Sequence, residues 1–166
     1  HLENLKDLVR AFEALSKTEK ELSKDGLSPQ DRTKLSNLQS TFIQLLRRFK
    51  YQSKPFDSIR IDSDTLLPVA QKLAGEDQYY NIKFDSSASD FIRCMWAYFT
   101  SLMLTSLRHA GNHPGLMILD EPKQQEMAFD SFRAFLSELA TIDQAQTLVF
   151  ASFENADSSF QEVTQG

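Results

Sequence analysis

Two short apolar runs on either side of a helical pattern constrain the fold of this chain more than any other feature. Residues 116–120 read LMILD and residues 147–152 read TLVFAS, and each has the length of one buried strand. Between them, large apolar residues recur at helical spacing from about Gln124 to Ala140. A strand, a helix and a second strand form a crossover unit, in which the two strands run parallel. We therefore predict an α/β fold in which LMILD is a central parallel strand, covered on both faces.

The stretch upstream of this unit predicts the remaining elements of the same domain. SIRI at 58–61 and QYYNIKF at 78–84 favour strands, whereas DTLLPVAQKLAG at 64–75 favours a brief helix or turn broken by a proline. A long helix is predicted from about Asp90 to Arg108. It carries so many large apolar residues that more than one of its faces must be covered.

The first 52 residues carry the spacing of two coiled-coil helices, with apolar residues at alternating intervals of three and four. Gly26 ends the first helix, Ser28 is a typical N-cap, and Pro29 suits the first position of the second helix. So short a loop predicts an antiparallel helical hairpin, which is either a packing arm or the stub of a longer coiled coil. The apolar positions are Leu5, Leu8, Phe12, Leu15 and Leu22, followed by Leu35, Leu38, Phe42, Leu45 and Phe49.

Net charge and composition limit how the chain could bind nucleic acid, use its cysteine or cross a membrane. The net charge of −5 provides no broad positive field for nucleic acid, so any DNA contact must be local or come from another part of the protein. The single cysteine, Cys94, lies in an apolar helical pattern and is expected to be a small buried side chain. No apolar run approaches the roughly 20 residues that span a bilayer, and we expect a cytoplasmic protein. Because the chain begins with an amphipathic helix and lacks an initiating Met, we expect it to be a piece of a longer protein.

The strongest chemical signal is the acidic pair Asp120 and Glu121, which follows the apolar run and precedes Pro122. The carboxyl end of a central parallel strand opens onto the crevice where open α/β sheets bind ligands. Two neighbouring carboxylates there can divide the work, because one can hold Mg²⁺ while the other accepts a proton from water. The alternative is that an apolar strand simply ends in an acidic loop.

The segment LMILDEP resembles the Walker B motif of ABC-type ATPases, especially the structural-maintenance-of-chromosomes (SMC) proteins and the related DNA-repair heads. In that family the Asp holds Mg²⁺ and the following Glu is the catalytic base. The resemblance therefore implies that Asp120 is the metal ligand and that Glu121 is the catalytic residue.

A second segment, SSASD, lies where the resembled family has its signature loop, before the helix that precedes Walker B. The resemblance implies that Ser87, Ala88, Ser89 and Asp90 contact the γ-phosphate of ATP held by a partner head. From the residues alone, a helix N-terminus of this kind is either a phosphate site or ordinary capping. This sequence departs from the family because Ala88 and Ser89 stand where the family has glycines.

Two further segments match the family more loosely. KQQEM falls at the place of the D-loop, where Gln124 and Gln125 are candidates for polar contacts across a dimer interface. TLVFASFEN matches the strand that ends in the family's switch histidine, but Phe153 stands there and cannot hydrogen-bond a phosphate. Because of this phenylalanine, the resemblance implies either that the protein hydrolyses ATP slowly or that it senses the nucleotide through another residue.

No GxxxxGK[ST] loop occurs in the sequence, so the resemblance covers only the C-terminal lobe of such a head, from about Pro55 to Asn155. We therefore predict a C-terminal lobe over residues 53–166, preceded by the hairpin over 1–52. It implies ATP and Mg²⁺ as cofactors, an N-terminal lobe with the Walker A loop, a second head as partner, and DNA as the target of the full assembly. The chain alone would then be inactive. The alternative is a scaffold or protein-binding module that descends from such a lobe and no longer hydrolyses ATP.

Overall fold

The computed structural model describes residues 2–21, 26–72, 78–123 and 128–152, with the backbone alone described at 2–5 and 19–21. The chain divides into two structural units, His1–Ser36 and Asn37–Gly166.

The two N-terminal helices form where the sequence predicts them. Helix α1 spans Leu2–Glu21 and α2 spans Pro29–Arg48. Ser28 caps α2, because its hydroxyl accepts the Asp31 N–H at 3.1 Å while the Asp31 carboxylate accepts the Ser28 N–H at 3.3 Å. The apolar stripe of α1 is exposed, and Phe12 on that stripe is 71% accessible to solvent. The antiparallel pairing of the two helices stays a prediction.

The apolar seam of α2 has a different role from the one predicted. Leu38, Phe42 and Leu45 are buried within the second unit, as is Phe49, which follows the helix. The ring of Phe49 packs edge-on against Trp96 and Phe135, at centroid distances of 6.2 and 5.4 Å. This part of the predicted hairpin therefore belongs to the core of the α/β unit.

A three-stranded antiparallel sheet follows, in the order β1–β2–β3. Strand β1 spans Ile59–Ile61, β2 spans Pro68–Gln71 and β3 spans Tyr79–Asn81, after which the chain turns into a 3-10 helix at Ile82–Phe84. The predicted helix or turn in DTLLPVAQKLAG is correct only for a turn at its first residues, Asp64 and Thr65, and it is wrong for residues 68–71, which form β2. The Asp62 carboxylate accepts the backbone N–H of Thr65 at 2.9 Å and so forms the turn that returns the chain antiparallel to β1.

The predicted crossover unit is confirmed. Strand β4, Leu116–Asp120, pairs in parallel with β5, Gln146–Phe150, and Asp120 lies opposite Phe150. Helix α4, Phe129–Leu139, lies between them in the chain, and helix α3, Ala88–Arg108, precedes them. The protein is therefore a mixed α/β structure.

The expectation that β4 is covered on both faces is wrong for the described part of the chain. Met117 is 9% exposed, whereas its neighbour Ile118 is 61% exposed, so the strand alternates between a packed and an open face. On β5, Leu148 and Phe150 are exposed as well. The open sheet face, formed by Leu116, Ile118, Leu148 and Phe150, is therefore apolar and uncovered by the described residues.

An aromatic cluster holds α3 and α4 together beside the end of α2. Trp96 of α3 stacks on Phe135 of α4 with parallel rings 4.5 Å apart, and Phe132 lies next to both. Phe132 and Phe135 are fully buried. This packing joins α4 to α3, the helix whose first turn carries the predicted signature residues. None of the described helices is long and apolar enough to cross a membrane.

Candidate active site

Glu121 is held at the carboxyl end of the parallel sheet in an uncommon backbone conformation. Its φ of 45° lies in the left-handed region, which a non-glycine residue adopts at a cost of about 1 kcal/mol or more. Its N–H donates to the Phe150 carbonyl at 2.8 Å, so the turn is joined to the end of β5. Its two carboxylate oxygens lie 3.1 and 3.2 Å from the backbone nitrogen of Ser152, whose N–H they accept. The side chain is thus aimed across the ends of both strands.

Asp120 lies at the last position of β4, on the same side as Leu116 and Ile118, because alternate strand residues share a face. The residue is exposed, and its carboxylate makes no hydrogen bond or ion pair with the described residues. An exposed, unengaged carboxylate at the end of a strand fits Mg²⁺, which is typically held by one or two carboxylates together with phosphates and water. Among the described residues, no group of three or more His, Cys, Asp or Glu side chains could hold a metal by itself. A metal here would therefore need oxygen ligands from elsewhere, such as a nucleotide.

The first turn of α3 is built as the sequence suggests. Ser87 is the N-cap, and its hydroxyl accepts the Asp90 N–H at 3.1 Å. The N–H groups of Ala88 and Ser89 follow the cap, where a helix offers no internal acceptor. Ser87 and Ala88 are exposed and Ser89 is half-buried, so this turn is open to a ligand on one side.

Asp90 departs from the expectation that it faces the nucleotide. Its carboxylate is buried and accepts hydrogen bonds from the Ser53 hydroxyl at 2.7 Å, the Gln52 N–H at 3.1 Å and the Arg93 guanidinium at 2.6 Å. Burial alone would raise the pKa of Asp90, but these three donors lower it below its ordinary value. Asp90 therefore organises the loop from inside and is not available to a ligand.

Arg93 has the structural role that its spacing from Asp90 indicates. Its side chain is 12% exposed, is paired with Asp90, and donates from Nε to the Ser131 hydroxyl of α4 at 3.2 Å. Cys94 is fully buried, as predicted, and burial raises the pKa of its thiol to about 12, which excludes a reactive thiolate near neutral pH.

His113 lies in the turn before β4, where its Nδ1 accepts the Gly115 N–H at 3.1 Å. This turn precedes β4, at the opposite end of the strand from Asp120. Gln124, Gln125 and Phe153 lie outside the described residues.

Two groups that the sequence motifs do not indicate also contribute to the site. One is the backbone of Ser152, which holds Glu121. The other is the connector after α2, where Ser53 and Lys54 contact the loop that begins α3. The sequence signal for this connector was the polar run QSK, which lies between Tyr51, a buried residue, and Pro55, an exposed one. A polar connector of this kind is also typical of an ordinary surface loop.

The two candidate motifs lie on different elements. Among the described residues, no hydrogen bond or ion pair joins the first turn of α3 to Asp120 or Glu121. No known protein family matches this chain, and no curated protein sequence matches it at a significant level.

Proposed function

We propose that this chain is the C-terminal half of an SMC-like ABC-type ATPase, which hydrolyses ATP between two dimerised heads. The observation that carries the proposal is the position of Asp120 and Glu121 at the carboxyl end of a parallel strand. Glu121 is held there at positive φ and joined to the neighbouring strand. Conformational strain of this kind occurs preferentially at functional sites.

The acidic pair has distinct roles in this proposal. Glu121 orients the attacking water and accepts its proton, and its two contacts with the Ser152 N–H hold it at the ends of the two strands. Asp120 would hold Mg²⁺, which neutralises phosphate charge when bound with ATP. The N–H groups of Ala88 and Ser89 would face the γ-phosphate on a partner head, which agrees with the lack of a direct bond between the two motifs.

The open sheet face supports the need for a second lobe. Leu116, Ile118, Leu148 and Phe150 form a contiguous apolar surface on two paired strands, and such surfaces are typically covered in the working protein. The sequence also lacks a phosphate-binding loop. We propose that a lobe with that loop covers this face. The whole assembly would act on DNA. The N-terminal helices would transmit the movement of the closing heads to the part of the assembly that holds the DNA.

A non-hydrolytic scaffold is the second candidate, and the exposed apolar stripe of α1 favours it. Leu8, Phe12 and Leu15 are all exposed on one helix and offer a surface for a protein partner. The substitution of both signature glycines points the same way, because side chains at Ala88 and Ser89 hinder close approach of the backbone to a phosphate.

Reconstitution with a lobe that carries a Walker A loop distinguishes the two candidates. We expect Mg²⁺-dependent ATP turnover, which Asp120→Asn lowers by more than about tenfold, the lower end of what losing even an outer partner of a metal site costs. Asp143→Asn is the matched control, because Asp143 is an exposed residue in the loop before β5, at the other end of the sheet. Turnover that is equal in the two variants contradicts the metal role of Asp120.

A further inference from the structure

Four consecutive residues of the connector that follows α2 are bonded to the segment that leads into α3. We define the connector clamp as Tyr51, Gln52, Ser53 and Lys54, which are consecutive in the chain. Each of them contacts the segment 85–90. The contacts are Tyr51 hydroxyl to Ser86 hydroxyl at 2.9 Å, Gln52 N–H to Asp90 at 3.1 Å, Ser53 hydroxyl to Asp90 at 2.7 Å, and Lys54 Nζ to Asp85 at 2.7 Å.

Ser53 is the centre of the connector clamp. Its hydroxyl donates to the buried carboxylate of Asp90 and accepts the backbone N–H of Ser87 at 3.0 Å. A hydroxyl can donate one hydrogen bond and accept another at the same time, so this side chain holds both ends of the first turn of α3. Ser and Thr are the two residues whose side chains carry an aliphatic hydroxyl of this kind.

These bonds determine which N–H groups of the turn are available. The Ser87 N–H is taken by Ser53, and the Asp90 N–H is taken by the Ser87 hydroxyl. The N–H groups of Ala88 and Ser89, which lie between them, are left without an intrahelical acceptor. The connector clamp therefore fixes the direction of the two groups that the proposed function assigns to a phosphate.

The connector clamp is anchored on its far side by the protein core. Asp90 also binds Arg93, whose Nε reaches Ser131 of α4. At the near side, the Tyr51 N–H donates to the Leu46 carbonyl at 3.0 Å, so the connector continues directly from the last turn of α2. The end of α2, the first turn of α3 and the start of α4 are thus one bonded unit.

We propose that Ser53 is a positioning residue, which holds the first turn of α3 to the end of α2 and presents that turn to ATP in a fixed orientation. The inference rests on the proposed function, because it takes ATP as the ligand of this turn. Ser53 itself touches no substrate in this account, since its hydroxyl bonds Asp90 and Ser87 inside the protein.

Hydrogen exchange on this chain, without any ligand, tests the structural half of the inference. Ser53→Ala removes the acceptor of the Ser87 N–H, and we expect the Ser87 amide to exchange about fivefold faster, the factor that corresponds to one lost hydrogen bond. Ser53→Thr keeps a hydroxyl and restores slow exchange. Ser58→Ala is the matched control, because the Ser58 hydroxyl bonds only the nearby Pro55 carbonyl. Equal exchange at Ser87 in the wild-type protein and Ser53→Ala overturns the inference.

Steady-state ATP turnover of the reconstituted two-lobe protein tests the functional half. We expect Ser53→Ala to raise the KM for ATP by about fivefold and to leave kcat within about twofold, whereas Ser53→Thr and Ser58→Ala behave like the wild-type protein. A KM unchanged by Ser53→Ala, or a loss confined to kcat, overturns the positioning role.

The two measurements separate this inference from the proposed function. If the wild-type two-lobe protein does not turn over ATP, the proposed function fails and the positioning role fails with it, while hydrogen exchange still decides whether the connector clamp exists. If Ser53→Ala does not fold, Tyr51→Phe takes its place, because it removes only the hydroxyl that bonds Ser86. A raised KM in Tyr51→Phe then supports the inference, and an unchanged KM contradicts it.

Discussion

At the scale of single residues, the sequence predicts which side chains could carry chemistry better than it predicts where those side chains point. The acidic pair was identified from its place after an apolar run, and the structure puts Glu121 at the predicted edge with a backbone conformation that no sequence pattern indicates. Asp90 shows the opposite outcome. Its position in the motif suggested a ligand contact, but its side chain is directed inward by Ser53, which lies 37 residues earlier in the chain. Hydrogen bonds between distant segments leave no periodic trace in a sequence.

The buried carboxylate of Asp90 gives a prediction of stability against pH. Asp90→Asn leaves Arg93 without its charged partner, and we expect a loss of about 2 to 3 kcal/mol in the free energy of unfolding at pH 7. The pKa of Asp90 is lowered in the folded state. Its contribution is therefore complete above the ordinary value of about 3.9 and is lost as the pH falls through the lower folded value.

Urea denaturation between pH 7 and pH 2 checks this prediction. The difference in unfolding free energy between the wild-type protein and Asp90→Asn is expected to be constant down to about pH 4 and to shrink below it. Asp143→Asn, at an exposed position, should follow the wild-type curve. A difference that is the same at every pH contradicts the role given to the Asp90 charge.

At the scale of elements, the sequence predicts where helices and strands lie along the chain better than it predicts which of their faces are packed. The heptad spacing located α1 and α2, and the apolar runs located β4 and β5. The same apolar runs failed to predict coverage, because a continuous run of large residues looks alike whether both faces or one face is packed. Strand β2 was missed because Pro68, at its first position, is also typical of a turn.

Neighbouring residues of β4 provide a direct test of which sheet face is covered. Met117→Ala is expected to cost about 2 to 4 kcal/mol in unfolding free energy, because it leaves a cavity in the packed face. Ile118→Ala, on the open sheet face, is expected to change that free energy by less than about 0.5 kcal/mol. Thermal and urea denaturation of both variants measure the contrast. Equal losses would mean that the face of Ile118 is packed in the isolated chain.

At the scale of the whole molecule, the sequence predicted an α/β unit preceded by two helices, and it predicted the end of the sheet at which the acidic pair lies. It did not predict that the core of this unit includes the end of α2, through Phe42 and Phe49. The resemblance to ABC-type ATPases assigned separate roles to the two members of the acidic pair and pointed to the first turn of α3. The connector clamp emerged only from the packing of three elements that are distant in the chain.

ATP binding and ATP hydrolysis, measured side by side on the reconstituted two-lobe protein with Glu121→Gln, test the central claim most directly. Gln keeps the size of Glu121 and the capacity to accept the Ser152 N–H, but it cannot take a proton from water. We expect ATP to bind with wild-type affinity while turnover falls by about 100-fold or more, the contribution of a general base. Turnover at the wild-type rate in Glu121→Gln would contradict the assignment of this carboxylate as the catalytic base.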